Sequence, residues 1–257
     1  MVVSNACACD NVWVTNGFTH PIYCLLMNVL VIGDEHTYGY GLSVGKLSYV
    51  GHFIRRISRA GRAVSVDAYA HLSMSQTIAT LAQLPLNQYD LIILQLDHTL
   101  VQVPDSQLAP ATVAYVPAVC PELTIAGQSS FNYRLKSIGA ALFSLIWPFR
   151  ERMAISVLLN QLRPYRHNVL LVTPLTSQNR VRRWLQQRGR SVVLQEADKR
   201  LVSVFDTDSI IRPREEYFLL NDHSHLNAIS HELLGLSLYD FYQSAPTIVT
   251  IQSIRKN

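Results

Sequence analysis

Short apolar runs alternate with longer segments of helical spacing along most of the chain. Five runs have the length and apolar character of buried strands: residues 28–32, 63–68, 90–96, 168–173 and 201–205. Apolar residues that recur every three or four positions predict helices at residues 42–59, 73–84, 150–162, 180–200 and 228–242. This alternation predicts one doubly wound α/β domain with a mostly parallel, five-stranded sheet.

The same pattern predicts how the chain is divided. The domain is expected to span residues 27–243, with an irregular, proline-containing insertion at about 101–149 and a tail at 244–257. Residues 1–26 lack the basic segment and uninterrupted apolar core of a signal peptide. We interpret them as an extension outside the true chain, which would start at Met27, directly before the first strand. The alternative is a genuine N-terminal arm that packs on the domain.

Composition narrows the possible functions. The net charge is only +4 and there is no long Lys/Arg block, so nucleic acid is not an expected partner. The four cysteines have no regular spacing, which fits a reducing compartment and predicts a cytoplasmic location. No apolar run is long enough for a membrane span. The apolar stretch 138–149 is interpreted as a buried helix, with a lid over an apolar pocket or a dimer face as alternatives.

Titratable residues gather where the predicted strands end. Because the carboxyl ends of parallel strands share one edge of the sheet, these side chains should converge there. The alternative for each one is an ordinary polar strand end. Gly39 and Gly41 are expected to keep the first of these turns loose. No glycine-rich phosphate loop accompanies them, and no cofactor is expected. The converging set is Asp34, Glu35, His36, His71, Asp97, His98, Asp222, His223 and His225.

Asp222-x-x-His225 is the most informative pair in this set. The spacing allows the carboxylate to accept the Nδ1 hydrogen of the imidazole and leaves Nε2 as a general base. The alternative is structural, because Asp222 or Ser224 can cap the last helix.

Three segments resemble the SGNH/GDSL hydrolase family. Residues 28–42 (NVLVIGDEHTYGYGL) resemble its opening strand and Gly-Asp-Ser-Leu turn. Residues 89–99 (YDLIILQLDHT) resemble the strand before its Gly-x-Asn segment, and residues 221–227 (NDHSHLN) resemble its closing Asp-x-x-His-Leu-Asn segment. The resemblance implies a three-layer α/β/α, flavodoxin-like fold. It also implies a Ser-His-Asp triad with an oxyanion hole formed by the Ser amide, a Gly amide and an Asn side chain.

Position by position, the chain departs from that family at the reacting groups. Glu35 stands at the nucleophile position and Leu72 near the glycine of the second segment, while Asp97 and Thr99 stand at the Gly and Asn of the third. Only the acid and the base of the closing segment match. A carboxylate is unable to act as the usual alkoxide-type nucleophile, and it places negative charge where an oxyanion develops. One missing oxyanion donor already costs about 2.7–4 kcal/mol of transition-state stabilisation.

These departures lead to three hypotheses. The first is an ancestral ester or acyl hydrolase that has lost its serine mechanism and persists as a pseudoenzyme, either a scaffold protein or a binding protein for a small-molecule ester, acyl or carbohydrate-type ligand. The second is an active esterase with a rearranged mechanism, in which Glu35 acts as base or forms an acyl anhydride, or Ser73 or Ser75 is the nucleophile. The third is a zinc or manganese site built from the strand-end carboxylates and imidazoles.

The position of the Glu35 carboxylate relative to His225 Nε2 decides between the first two hypotheses. A salt bridge between them neutralises the catalytic dyad and favours the pseudoenzyme. The oligomeric state is left open by the sequence.

Overall fold

A computed structural model describes residues 26–70, 72–96, 148–178, 180–220 and 222–244. Most of the predicted insertion, including the apolar stretch up to residue 147, lies outside the described residues. So do residues 1–25 and the tail from residue 245.

Five strands form one parallel sheet in the order β2-β1-β3-β4-β5, which confirms the predicted doubly wound α/β fold. Each strand pairs in parallel with its neighbours. The strands are β1 (Leu26–Gly33), β2 (Ala63–Ala70), β3 (Leu91–Gln95), β4 (Val169–Val172) and β5 (Ser203–Phe205). Because β1 starts at Leu26 and Met27 is buried within it, the expectation that Met27 precedes the strand was wrong.

Within the described residues, five helices cover the sheet, and they are α1 (Tyr49–Arg59), α2 (Met74–Gln83), α3 (Pro148–Leu162), α4 (Arg180–Asp198) and α5 (Ala228–Ser244). All five predicted helices are present. The first starts at Tyr49 rather than at Leu42, because Gly45 adopts a positive φ and Ser48 caps the helix by accepting the Gly51 N–H at 3.1 Å.

The side chains of β1 alternate between two cores, as the period of a strand requires. Met27, Val29 and Val31 face the core formed with α1 and α5. Leu30 and Ile32 face the core formed with α2, α3 and α4. Helices therefore lie on both faces of the sheet, and the expected three-layer arrangement is present.

A close contact between α1 and α5 joins the beginning of the domain to its end. A Cβ at Gly235 of α5 would lie 2.6 Å from the Tyr49 carbonyl oxygen, so the glycine lets the two helices approach. Phe53 of α1 is fully buried and meets the Tyr242 ring edge-to-face, with 5.7 Å between centroids. No described helix is both long and apolar enough to cross a membrane.

A short antiparallel hairpin, β6 (Phe218–Leu219) and β7 (Asp222–Leu226), precedes α5. The sequence predicted a loop here, and that prediction was wrong. A strand of two residues is too short to show the alternation by which strands are recognised.

Candidate active site

The turn after β1 is held by its own aspartate. The buried Asp34 Oδ1 accepts the backbone N–H of His36 at 2.9 Å and that of Thr37 at 3.2 Å. The Tyr40 N–H donates to the Glu35 carbonyl at 2.9 Å. Gly39 lies in the left-handed region at φ 73°, and its N–H and carbonyl both form hydrogen bonds within the turn. The turn is therefore tight, and the expectation of a loose one was wrong.

A buried polar network ties this turn to the sheet and to α1. Gln95, the last residue of β3, accepts hydrogen bonds at Oε1 from the Thr37 hydroxyl at 2.5 Å and the Tyr49 hydroxyl at 2.7 Å. A Cβ at Gly33 would lie 2.0 Å from Thr37 Oγ1, so only glycine leaves room for this threonine. The sequence reasoning missed the network. Its one visible signal is the polar Gln95 within an otherwise apolar run.

The hairpin supplies the histidine. His225 Nδ1 contacts the Asp222 Oδ2 three residues earlier on β7. The last helix is capped by a different residue, Asn227, whose Oδ1 accepts the Ser230 N–H at 2.9 Å. The helix-cap alternative for Asp222 was therefore wrong, and its carboxylate is directed to the imidazole.

The turn and the hairpin meet at an ion pair. Glu35 Oε1 lies 3.4 Å from His225 Nε2, a distance and geometry of an ion-pair contact rather than of a well-directed hydrogen bond. The side chains are 25% and 12% exposed, respectively. The ring centroids of Tyr40 and His36 lie 4.6 Å and 5.5 Å from that of His225. The imidazole thus sits between two carboxylates and beside two aromatic rings.

Opposing effects act on the pKa of His225. Burial lowers it, but the Glu35 carboxylate and then the Asp222 carboxylate raise it by more, so the pKa lies above the ordinary value of 6.5. The pair therefore favours the imidazolium form. An imidazolium has no lone pair to accept a proton, so His225 in this state is unable to act as a general base.

The pKa of His231, on α5, is shifted in the opposite direction from that of His225. Burial, with smaller contributions from the neighbouring histidines, lowers its pKa to about 3. Its Nδ1 accepts the Tyr49 N–H at 3.2 Å, as a neutral ring can. Two neighbouring carboxylates outweigh burial at His225 and raise its pKa, whereas burial dominates at His231 and lowers its pKa.

Substituting Glu35→Gln is expected to lower the pKa of His225, because it removes the larger of the two carboxylate effects. The pKa is read from an NMR titration of the imidazole Cε1–H. The control Asp222→Asn should lower it by less. Equal pKa values in the wild type and Glu35→Gln would contradict the ion pair.

The raised pKa also sets a pH dependence of stability. The stabilisation from His225 is complete below the pKa of the unfolded state and is lost as pH rises through the higher pKa of the folded state. We therefore expect the wild type to lose its stability advantage over Glu35→Gln as pH rises through that range, measured by urea unfolding.

Of the predicted site residues, the structure brings Glu35, His36, Asp222 and His225 together. Asp34 stabilises the turn after β1 by accepting the N–H groups of His36 and Thr37. The remaining predictions at His71, Asp97, His98 and Thr99 lie outside the described residues, and so does the side chain of His223. Their convergence stays a prediction.

The other two predicted site residues, Leu72 and Ser73, have structural roles. Leu72 packs against the core beneath α2. Ser73 Oγ caps α2 by accepting the Gln76 N–H at 3.3 Å, in a reciprocal capping box, and lies 3.1 Å from Ser75 Oγ. Within the described ranges, no three His, Cys, Asp or Glu side chains are grouped to hold a metal ion.

Solved structures match this chain over most of its length. The lipase Lip_vut3 from a goat rumen metagenome is 16% identical, with 86% of this chain and 98% of that chain covered and a TM-score of 0.57. A catalytic mutant of Axe2, an acetylxylan esterase from Geobacillus stearothermophilus, is 12% identical, with 87% and 97% covered and a TM-score of 0.55. A protein described as lipolytic and of the G-D-S-L family, from Desulfitobacterium hafniense DCB-2, is 11% identical, with 83% and 98% covered and a TM-score of 0.53.

No family profile matches the chain, and no curated protein matches it by sequence. The structural matches define the class: the chain has the α/β fold of the SGNH hydrolases. This confirms the fold that the three sequence segments implied. Identities this low show the fold alone, so the activity has to be argued from the site.

Proposed function

We propose that this protein is an SGNH-fold pseudoenzyme that does not hydrolyse esters by the serine mechanism and binds a small-molecule ester, acyl or carbohydrate-type ligand beside Glu35. The observation that carries the proposal is the 3.4 Å contact between Glu35 Oε1 and His225 Nε2. The nitrogen that would activate a serine hydroxyl instead faces a carboxylate.

Two requirements of triad chemistry fail at once. The nucleophile position carries a carboxylate, and loss of the serine from a triad costs about 10⁶-fold in turnover. The same carboxylate raises the pKa of the base, which favours its protonated form. Negative charge at Glu35 also opposes the oxyanion of a tetrahedral intermediate. Each effect alone suppresses ester hydrolysis, and the single Glu35 side chain causes all of them.

The ligand class is supported by the fold neighbours, which include a lipase and an acetylxylan esterase.

The rearranged esterase is the alternative function. Its serine version is weakened because Ser73 Oγ already caps α2. In its carboxylate version, the Glu35–His225 pair that the structure shows supplies the reacting groups. The cytoplasmic location predicted from cysteine spacing stays a prediction.

The test measures hydrolysis of p-nitrophenyl acetate, p-nitrophenyl butyrate and acetylated xylan oligomers by the purified full chain, together with fluorophosphonate labelling. We expect background rates, no labelling, and equal rates in the wild type and His225→Ala. Addition of p-nitrophenyl acetate should shift the His225 imidazole NMR signal.

If the wild type hydrolyses these esters and the rate falls tenfold or more in His225→Ala, the proposed loss of ester hydrolysis is contradicted. Labelling that disappears in Ser73→Ala would establish the serine version of the rearranged mechanism instead. An unchanged imidazole signal at saturating ester would remove the support for ligand binding at this turn.

A further inference from the structure

A basic cleft lies at the turn between α3 and β4. It has a volume of about 450 Å³, and the residues that line it are Asn160, Arg163, Pro164, Arg166 and His167. The turn leads into the amino end of β4, whereas the Glu35–His225 pair lies beyond the carboxyl end of β1. Because the two strands run in parallel within one sheet, the cleft and the candidate active site lie at opposite ends of the strands.

We propose that this cleft binds a small molecule that carries a phosphate monoester group, and that Arg163 and Arg166 hold the phosphate. This site goes beyond the proposed function, which concerns the turn after β1 and the hairpin. The charges and hydrogen bonds of the lining residues carry the proposal.

The lining side chains supply positive charge without a carboxylate among them. The guanidinium groups of Arg163 and Arg166 are permanently charged, and no residue that lines the cleft is acidic. Among the described residues, neither arginine forms an ion pair. Two positive charges at one cleft therefore favour an anion as its ligand.

The side-chain amide of Asn160 is oriented by an arginine outside the lining set. Arg200 Nε donates to Asn160 Oδ1 at 2.9 Å, which leaves the Nδ2 hydrogens of Asn160 for a ligand. Arg200 is itself paired with Glu196, whose side chain is only 7% exposed. The carboxylate next to Arg200 is thus already paired, and the amide adds a hydrogen-bond donor to the two guanidinium groups.

The turn that carries these donors is attached to the sheet. The Asn168 N–H donates to the Tyr165 carbonyl at 2.8 Å, and Asn168 Nδ2 donates to the Tyr89 carbonyl at 3.1 Å. Arg166 Nε donates to His167 Nε2 at 3.3 Å, which leaves the terminal nitrogens Nη1 and Nη2 for a ligand. Donors that are positioned before the ligand arrives lower the entropic cost of binding.

The number of cations and the size of the cleft indicate the class of anion. One guanidinium group matches the charge of a carboxylate, whereas a phosphate monoester carries about −1.5 to −2 at pH 7 and presents three acceptor oxygens. Guanidinium groups bind phosphate oxygens in pairs of parallel hydrogen bonds. A volume of about 450 Å³ is typical of small-molecule sites, so the cleft has room for more than the phosphate group.

Isothermal titration calorimetry of the full chain with glycerol 3-phosphate tests the site. We expect one equivalent to bind, with no binding of glycerol and weaker binding of acetate. Arg163→Gln and Arg166→Gln should each weaken binding about tenfold or more, because each removes hydrogen bonds between charged groups. The double variant should not bind measurably.

Two control variants separate recognition in the cleft from other effects. Arg152→Gln removes the same charge from α3, but Arg152 donates to Gln195 and does not line the cleft, so the affinity should be unchanged. His225→Ala should also leave the affinity unchanged, because the candidate active site is separate from the cleft. Urea unfolding of each arginine variant measures its stability alongside its affinity.

Four results would overturn the proposal. They are an unchanged affinity in the double variant, an equal loss of affinity in Arg152→Gln, binding only to vesicles that contain phosphatidic acid, and a loss of stability in Arg163→Gln without a loss of affinity. The last result would show that Arg163 only stabilises the end of α3. The proposed function is tested with p-nitrophenyl acetate and the His225 signal, so either proposal can fail without the other.

Discussion

Glu35→Ser is expected to raise hydrolysis of p-nitrophenyl acetate about 10- to 100-fold above the wild type, which is at or below the roughly 100- to 10,000-fold that general acid–base catalysis contributes. The substitution removes the carboxylate from His225 Nε2 and offers it a hydroxyl group. Asp222 already holds Nδ1. Full esterase activity is not expected, because the resemblance puts Thr99 in place of the Asn whose side-chain amide donates to the oxyanion, and a missing oxyanion donor costs about 2.7–4 kcal/mol. Initial rates and fluorophosphonate labelling at position 35 measure the gain.

Two controls separate a new nucleophile from a general effect on the site. Glu35→Gln removes the same negative charge without adding a hydroxyl group, so its rate should stay at background. The double variant Glu35→Ser/His225→Ala should lose the gain and the labelling. If Glu35→Ser is no faster than Glu35→Gln, the hairpin histidine does not activate a residue at this turn.

Phe53→Ala is expected to lower the free energy of unfolding by about 3–5 kcal/mol. The ring is fully buried between α1 and α5, in edge contact with Tyr242 and Tyr239, and neither helix can close the cavity without moving against the sheet. Urea unfolding followed by circular dichroism measures the loss. Because α1 and α5 hold the turn and the hairpin together, the His225 imidazole signal should also broaden or shift.

The matched control on the same helix is Arg55→Ala, at an exposed position. Exposed substitutions without special contacts change stability by about 0.5 kcal/mol or less. A loss for Phe53→Ala no larger than that of Arg55→Ala would show that the contact between α1 and α5 contributes little to the fold.

The central sheet could be predicted because its signals are local. A buried parallel strand needs an apolar run whatever its neighbours are, and β1, β3 and β4 carry such runs. The hairpin could not be predicted, since two residues such as Phe218–Leu219 become a strand only when β7 lies beside them. The start of α1 was misplaced for a related reason, because the apolar spacing from Leu42 continued through a turn whose glycines require a positive φ.

Some features of the candidate site could likewise be predicted from the sequence, and others could not. Spacing alone paired Asp222 with His225, and resemblance placed Glu35 at the turn after β1. The sequence did not indicate that Gln95 would join Thr37 and Tyr49 beneath that turn, since these residues lie far apart in the chain and meet only through the sheet and α1. Nor could it decide whether Asp222 caps a helix or holds an imidazole, because both roles suit the same residue type.

By itself, the sequence determined the class of fold, and it predicted the turn after β1, which contains no serine, as the candidate site. Residue identity and short-range spacing carry this information. Only the tertiary structure decided that Glu35 meets His225 Nε2 at 3.4 Å. That contact depends on how α1 packs on α5, because Glu35 and His225 lie far apart in the chain. The strength of a charge–charge interaction depends on distance and burial, which no local pattern encodes.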